Sequence, residues 1–293
     1  MRDLVGYRAV FVHAHPDDEA ITTGGTIADL ARRGADVTVV TCTLGEEGEV
    51  IGETYQHLVA DEADQLGGFR IGELAASLRA LGARGEFLGG AGRFRDSGMA
   101  GSPAHQNPRA FVNNTDVATD LLVSLFERIR PHAVVTYDAN GGYGHPDHIQ
   151  AHRITHAAAT RAGVPRVLHT VRLAHETNAA LPAAAPAGWR LPQPGELDGV
   201  DEADLSIVLD DATYAAKTSS MQAHATQLWI ANGLISETNP HAVLCDGPVV
   251  YYALSNLIVQ PLQRVEHYQL GAGVPLPDDT GGADGADGIF CGL

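Results

Sequence analysis

Apolar positions along this chain switch between two periods. Ala9 to Val12 is a short apolar run that ends in polar residues, and Thr26 to Arg33 follows with Ile27, Leu30 and Ala31 at helical spacing until Gly34. The pattern predicts a strand, a loop and then a helix. Val37 to Cys42 (VTVVTC) is β-branched and does not alternate cleanly, which predicts a strand covered on both faces, as in a parallel sheet. After a glycine- and glutamate-rich loop, LGEEGEVIGE, the residues Leu74, Leu78 and Leu81 stripe one face of a helix closed by Gly82. EFLGG (86–90) predicts a third strand. Val117, Leu121, Leu122, Leu125 and Ile129 mark another helix, which must stop at Pro131 because the residue before proline resists helical backbone; HAVVTYD (132–138) is the next strand.

Strands alternating with helices of this length imply βαβ crossovers. The expected fold is therefore α/β: a Rossmann-like, mostly parallel, doubly wound sheet flanked by helices, with a smaller C-terminal α/β extension. Residues 1–172 would form the core. Residues 173–270 would continue the same domain around a Pro/Ala-rich excursion at 177–203, and 271–293, with DDTGGADGADG, reads as a mobile tail. In such sheets ligands bind beyond the carboxyl ends of the strands, and both polar clusters of this sequence lie there.

The first cluster is VHAHPDDEA (12–20). His15 and Asp18, three apart on a turn stiffened by Pro16, can aim an imidazole nitrogen and a carboxylate oxygen at one point, with Asp17 between them. An ordinary explanation competes: Asp17, Asp18 and Glu19 would also cap a helix and complement its dipole. The second cluster, YDANGGYGHPDHIQAH, places His145, Asp147, His148 and His152 after another strand, again with proline between histidine and aspartate. A catalytic zinc takes three protein ligands and an open position. His15, Asp18 and one histidine of this group complete such a set, whereas His148 and His152 form a rival helical pair, extended by His156. A metal with an open position lowers the pKa of its water toward about 7. Asp17 is then placed to take that water's proton, and His145, with Asp147 available to orient and charge it, to serve the leaving group or the oxyanion. Tyr143 beside them has packing as its plain alternative. His13 is expected to be structural, Glu19 to support the helix start or the ligand shell, and His224 to be packed rather than functional.

AHPDDE followed by GHPDH resembles the LmbE-like or PIG-L-like deacetylases, zinc enzymes that remove acetyl groups from N-acetylglucosamine-type sugars on a Rossmann-like fold. VTCTLGEEGEVIG, DQLGGFRIGEL, LGGAGRFRDSGMAG, VVTYDANGGYGHPDH and AHATQ look like the members acting on N-acetylglucosaminyl-inositol in mycothiol biosynthesis. The resemblance runs from about residue 8 to the C-terminal region and is weakest in residues 173–205 and the last stretch. It implies a linear-amide hydrolase with His15, Asp18 and His148 as ligands of one Zn2+ per chain, Fe2+ being an alternative in the cell. It further implies Asp17 as general base, and His145 as acid or electrostatic stabiliser tuned by Asp147. Tyr143 would lie at the oxyanion region, and Arg70 and Asp96 would hold sugar or inositol hydroxyls. Arg70 is expected in a glycine-flanked loop, where its fork of donors can reach a polyol. Asp96 in RFRDSGM also has ordinary turn chemistry as an explanation. The nearest rival within the family is the mycothiol S-conjugate amidase. That group usually resembles GGYPHPDH, whereas Gly144 precedes His145 here; a deacetylase of another N-acetylglucosaminyl substrate is the other alternative.

Charge and cysteine content narrow the partners. A formal charge of -17 argues against a phosphate-backbone partner, so nucleic acid is not expected; Lys217 is the single lysine, and the small sugar-inositol substrate is what the resemblance implies. Cys42, Cys245 and Cys291 are odd in number and far apart, which fits a reducing cytoplasm. No signal-peptide pattern or membrane-length apolar run is present.

Overall fold

The computed structural model describes residues 3–197, 199–277 and 285–293. Its elements in chain order are β1 (Arg8–His13), α1 (Asp18–Arg32), β2 (Asp36–Thr41), α2 (Leu66–Leu81), β3 (Arg84–Phe87), α3 (Thr115–Ile129), β4 (Ala133–Tyr137), a short kinked α4 (Gly141–Gly144) and α5 (Pro146–Ala162). They continue with β5 (Arg166–Val171), α6 (Ala174–Ala179), β6 (Leu205–Val208), α7 (Asp211–Ala223), β7 (Leu228–Ile230), β8 (Tyr251–Leu254), β9 (Gln260–Pro261) and β10 (Val265–Gly273). Seven strands form one sheet in the order β3-β2-β1-β4-β5-β10-β6. β1 to β5 are mutually parallel, and β10 runs antiparallel to both β5 and β6.

This is the expected Rossmann-like arrangement. The chain winds outward from β1 to β3, then crosses back to β4 and β5, so the carboxyl ends of β1 and β4 flank a topological switch point. One face of the sheet is covered by a core of α1, α2 and α7 residues, including Ile27, Leu30, Leu78, Tyr214 and Met221. The other is covered by α3 and α5 through Leu122, Phe126, Ala151 and Ile154. Strand residues are buried on both sides, as the unbroken apolar runs require. A separate antiparallel sheet, β7-β8-β9, forms the C-terminal extension around Tyr251, Ala253 and Val259.

Several boundaries differ from the sequence reading, each for a tertiary reason. α1 begins at Asp18, not near Thr26, and runs through Gly24 and Gly25. Those glycines suggested a loop, but a Cβ on Gly25 would stand 2.3 Å from Leu209, so the helix is thinned there for packing. The peptide N–H groups of Gly25 and Thr26 donate to the buried Glu266 carboxylate (2.9 and 2.8 Å), which also holds Lys217 Nζ at 2.6 Å. Arg70 lies within α2, not in a loop. The third strand ends at Phe87, and the excursion from 177 opens with the end of α6.

The tail is the largest correction. Residues 278–284 lie outside the described residues, but Ala286–Phe290 forms a 3-10 turn in which Ala286, Ile289 and Phe290 are fully buried. Arg166, fully buried at the start of β5, donates to the carbonyls of Val274 (2.9 Å), Pro275 (2.8 Å), Ile289 (2.9 Å) and Cys291 (2.8 Å). Burial disfavours the charged head and lowers its pKa, and its bonds to four carbonyls offset part of that cost, which pins this segment to the sheet. All three cysteines are free thiols, and no described helix is long and apolar enough to cross a membrane.

Candidate metal and catalytic centre

β1 ends at His13, and the turn that follows delivers His15, Asp17 and Asp18 to the switch point. The His15 peptide N–H donates to Asp18 Oδ2 (2.9 Å), closing the turn. Opposite, β4 ends at Tyr137, and Gly141, Gly142 and Gly144 take positive φ to bring the chain round to α5. Pro146 sits in the first turn of α5, and His145 caps it, Nδ1 accepting the Asp147 N–H (3.1 Å). The helix then presents His148 inward.

Ligand atoms of three residues from these two turns converge. His15 Nδ1 lies 3.3 Å from His148 Nε2 and 3.5 Å from Asp18 Oδ2, and His148 Nε2 lies 3.4 Å from Asp18 Oδ1. The ring tautomers follow from the opposite edges. His148 Nδ1 faces the Gly141 carbonyl (3.0 Å) and His15 Nε2 faces Asp147 Oδ2 (3.4 Å), so in the neutral rings that a metal requires the protons belong there and the inner nitrogens offer lone pairs. Two lone pairs and a carboxylate facing one another repel unless a cation lies between them. The His15–His148 separation matches the edge of about 3.3 Å of a tetrahedron with metal–nitrogen bonds of about 2.0–2.1 Å, and Asp18 turns one oxygen toward each ring. These residues form a buried His/Asp group suited to a divalent metal. His145 also brings a ring nitrogen within 4.8 Å of those of His15 and His148.

The surrounding electrostatics favour positive charge at this point. Burial works against a charged His15, but Asp96, Asp147 and Asp18 outweigh it and hold its pKa well above the ordinary value. Asp18 is held well below its ordinary range: burial opposes, and His148 and His15 prevail. Burial raises Asp17 to about 6, Asp18 adding to the rise and Arg70 opposing it. His145 is lowered to about 3 by burial, then by His15 and His148, so its ring is neutral.

Of the two remaining carboxylates, Asp147 has a different partner from the one expected. Asp147 does not orient His145 with its side chain: the carboxylate accepts the Ser97 N–H (2.9 Å) and faces His15, and burial raises its pKa. Only its peptide N–H reaches His145. Asp96 is buried against His15 Nε2 (3.5 Å) and accepts from the N–H of Gly98 (2.8 Å); burial opposes its ionisation, but His15 and Gly98 hold it below the usual range. Arg70 is buried too, its guanidinium 3.1 Å from Asp17 Oδ2 and donating to the carbonyls of Gly45 (2.9 Å) and Pro16. Tyr143 stands at the rim, 62% exposed, its ring edge-on to His148 at 5.0 Å.

Residues outside the expected set complete the centre. The Tyr137 hydroxyl bonds Asp18 Oδ2 (2.6 Å) and its ring stacks on His148 at 4.1 Å. Glu19, fully buried, accepts the Asp17 N–H (3.0 Å) and pairs with His224 Nε2 (2.7 Å) and Ser77 Oγ (2.5 Å). His224 is thus packed, as expected, against the carboxylate that holds the Asp17 N–H. His13 bonds Thr23 (3.0 Å) inside the core. Asp17 itself sits at φ 113°, ψ -31°, a conformation costing a non-glycine residue about 1–3 kcal/mol, imposed by neighbours on both sides. All of this opens on a cavity of about 900 Å³ whose far wall includes Glu176, Glu196, Val200 and His267. Thr177, Glu196, Leu197, Gly199 and Val200 of the excursion therefore form part of the cavity wall.

Residues 10–159 match the family PIG-L: GlcNAc-PI de-N-acetylase, and the chain belongs to it. It is 60% identical over 296 residues to the 1D-myo-inositol 2-acetamido-2-deoxy-alpha-D-glucopyranoside deacetylase of Corynebacterium efficiens, covering 98% of this chain and 94% of that protein. It is 58% identical over 284 residues to the enzyme of the same name from Corynebacterium diphtheriae, covering 94% and 97%. Among solved structures it resembles a deacetylase triple mutant of the teicoplanin biosynthetic pathway (TM-score 0.52, 18% identity, 93% of this chain and 100% of that one). It also resembles the 4-carboxy-2-hydroxymuconate hydratase of Pseudomonas putida (TM-score 0.51, 17% identity, 93% and 99%). The last two share the fold and differ in reaction, so the fold alone does not name the chemistry.

Proposed function

We propose that this protein hydrolyses the acetamide of 1D-myo-inositol 2-acetamido-2-deoxy-α-D-glucopyranoside, releasing acetate and glucosaminyl-inositol, the deacetylation step of mycothiol biosynthesis. The observation that carries the reading is the convergence of His15, Asp18 and His148 with Asp17 alongside, in a chain about 60% identical to enzymes of that name. His15, Asp18 and His148 would hold one divalent ion, Zn2+ by the donor set, with Fe2+ accepted by the same ligands. When bound, that ion supplies Lewis acidity toward water and the acetamide carbonyl.

The side chains account for the rest of the reaction. Asp17 takes a proton from the attacking water while the water oxygen bonds to the acetyl carbon. Arg70 holds the Asp17 carboxylate in place and keeps its affinity for protons from rising further. His145 is neutral, with Nδ1 engaged by the Asp147 N–H, so Nε2 carries the proton and donates to the developing oxyanion. Asp17 then returns its proton to the amine as the C–N bond breaks. Tyr143, at the rim between Gly142 and Gly144, closes the oxyanion side. Asp147 and Asp96 fix the His15 ring.

The cavity suits a neutral polyol of two rings: its volume is within the ordinary range of about 300–1,000 Å³ for small-molecule sites. Its polar lining, including Glu47, Glu49, Asp96 and Gln260, can accept and donate to hydroxyls. A small sugar-inositol substrate met in the cytoplasm fits this lining and the free thiols. The test is incubation of the metal-loaded protein with N-acetylglucosaminyl-inositol, reading primary amine and acetate. Stoichiometric release supports the proposal; amine only from a mycothiol S-conjugate would move the assignment to the amidase.

A further inference from the structure

Three histidines that this reaction leaves unused meet beside the backbone of Tyr137. His152 and His156 stand one turn apart on α5, and His169 lies on β5, the strand paired with β4. The ring centroids are 4.5, 5.0 and 5.1 Å apart, and one nitrogen from each lies within 4.8 Å of the other two. His156 Nε2 and His169 Nε2 are 2.8 Å apart, so they share one proton or none. His152 Nδ1 lies 2.9 Å from the Tyr137 carbonyl, which fixes a proton on Nδ1 and leaves Nε2 as a lone pair.

Facing this group, β10 shifts register between Leu270 and Ala272, and a Cβ on Gly271 would stand 2.3 Å from His169 Nε2. A bulged glycine therefore keeps clear the tip of the ring that points at the other two. Each ring is half-buried, leaving an approach from solvent.

We propose that His152, His156 and His169 form a second metal site, for a borderline divalent ion such as Zn2+, Co2+ or Ni2+, distinct from the His15, Asp18 and His148 centre. Imidazole suits these ions, and a ligating histidine whose other nitrogen donates to a backbone carbonyl is their usual support. The His156 and His169 nitrogens need to part by only about 0.5 Å to span a tetrahedral edge. Burial lowers the pKa of both, His169 to about 4 with His152 and His156 contributing, which supplies the neutral, ligating rings at neutral pH.

The test counts ions on the full chain, stripped with chelator and titrated with Co2+, by elemental analysis and visible absorption. The wild type is expected to take up two per chain. His15→Ala should keep one, as should His156→Ala/His169→Ala, the latter with deacetylation intact. His152→Gln, a milder change for use if the double variant does not fold, should weaken the second uptake by roughly tenfold or more, since it removes a ligand outright where loss of a supporting partner already costs about 10–100-fold. Uptake of a single ion by the wild type, or two ions in folded His156→Ala/His169→Ala, would overturn the second site, and the His15→Ala count separates that failure from failure of the first.

Discussion

The Tyr137 hydroxyl lies 2.6 Å from Asp18 Oδ2 and accepts the peptide N–H of Ala14 at 2.8 Å, so a single phenol ties the end of β4 to the turn after β1. The proposed ligand Asp18 is thereby oriented from the opposite strand. Tyr137→Phe should lower metal affinity by roughly 10–100-fold. It should also cost about 1–3 kcal/mol of stability, because the buried Ala14 N–H loses its acceptor. Chelator competition and urea unfolding measure the two effects; unchanged metal affinity would remove Tyr137 from the support of the centre.

The Asp17 carboxyl at about 6 sets an acid limb. A general base works deprotonated, so kcat/KM should fall roughly tenfold per pH unit below about 6 and level off above it. Arg70 opposes the rise in that pKa. Arg70→Gln should therefore move the limb to higher pH. A pH–rate profile of the two proteins decides; a limb that stays in place would separate Arg70 from the base.

Lys217 and Glu266 form a pair that is nearly unexposed on both sides. Lys217→Met strands a carboxylate, at a cost of about 3–5 kcal/mol for such pairs. The lower end is expected because the N–H groups of Gly25 and Thr26 still hold Glu266. Thermal unfolding shows this as a reduced midpoint.

Gly25→Ala sets two effects against each other. Alanine is favoured over glycine in a helix interior by about 1 kcal/mol, but its Cβ would meet Leu209 carbons at 2.3 and 2.4 Å. Overpacking of that kind costs about 1–3 kcal/mol and wins. The same change in a Leu209→Ala background should cost less, and a double-mutant cycle in urea measures the difference.

The parts of the centre legible in the sequence are those fixed by local chain geometry. His15, Asp18, His145 and His148 sit on proline-stiffened turns at strand ends, and their convergence follows from the parallel topology. What escaped depends on partners distant in sequence. Tyr137 reads as one more aromatic closing a buried strand. Asp147 lies two residues from His145, which suggested a pairing that its place inside the first turn of α5 forbids. Arg70 among glycines reads as a loop, but Gly67 faces Glu46 so closely that only a residue without a side chain fits the helix there. The tail looked loose because its composition does not reveal that Arg166, over a hundred positions earlier, takes up its carbonyls.

That clasp bears on when the molecule becomes whole. Arg166 opens the fifth strand of the parallel sheet, yet its four acceptors lie at residues 274, 275, 289 and 291. On a growing polypeptide the guanidinium must stay hydrated, and its strand cannot bury it, until residues 274 to 291 have left the ribosome. A stretch made more than a hundred residues after β5 is therefore the one that seals the sheet, and a chain that stops before it would leave an unsatisfied charge at the edge of its own core.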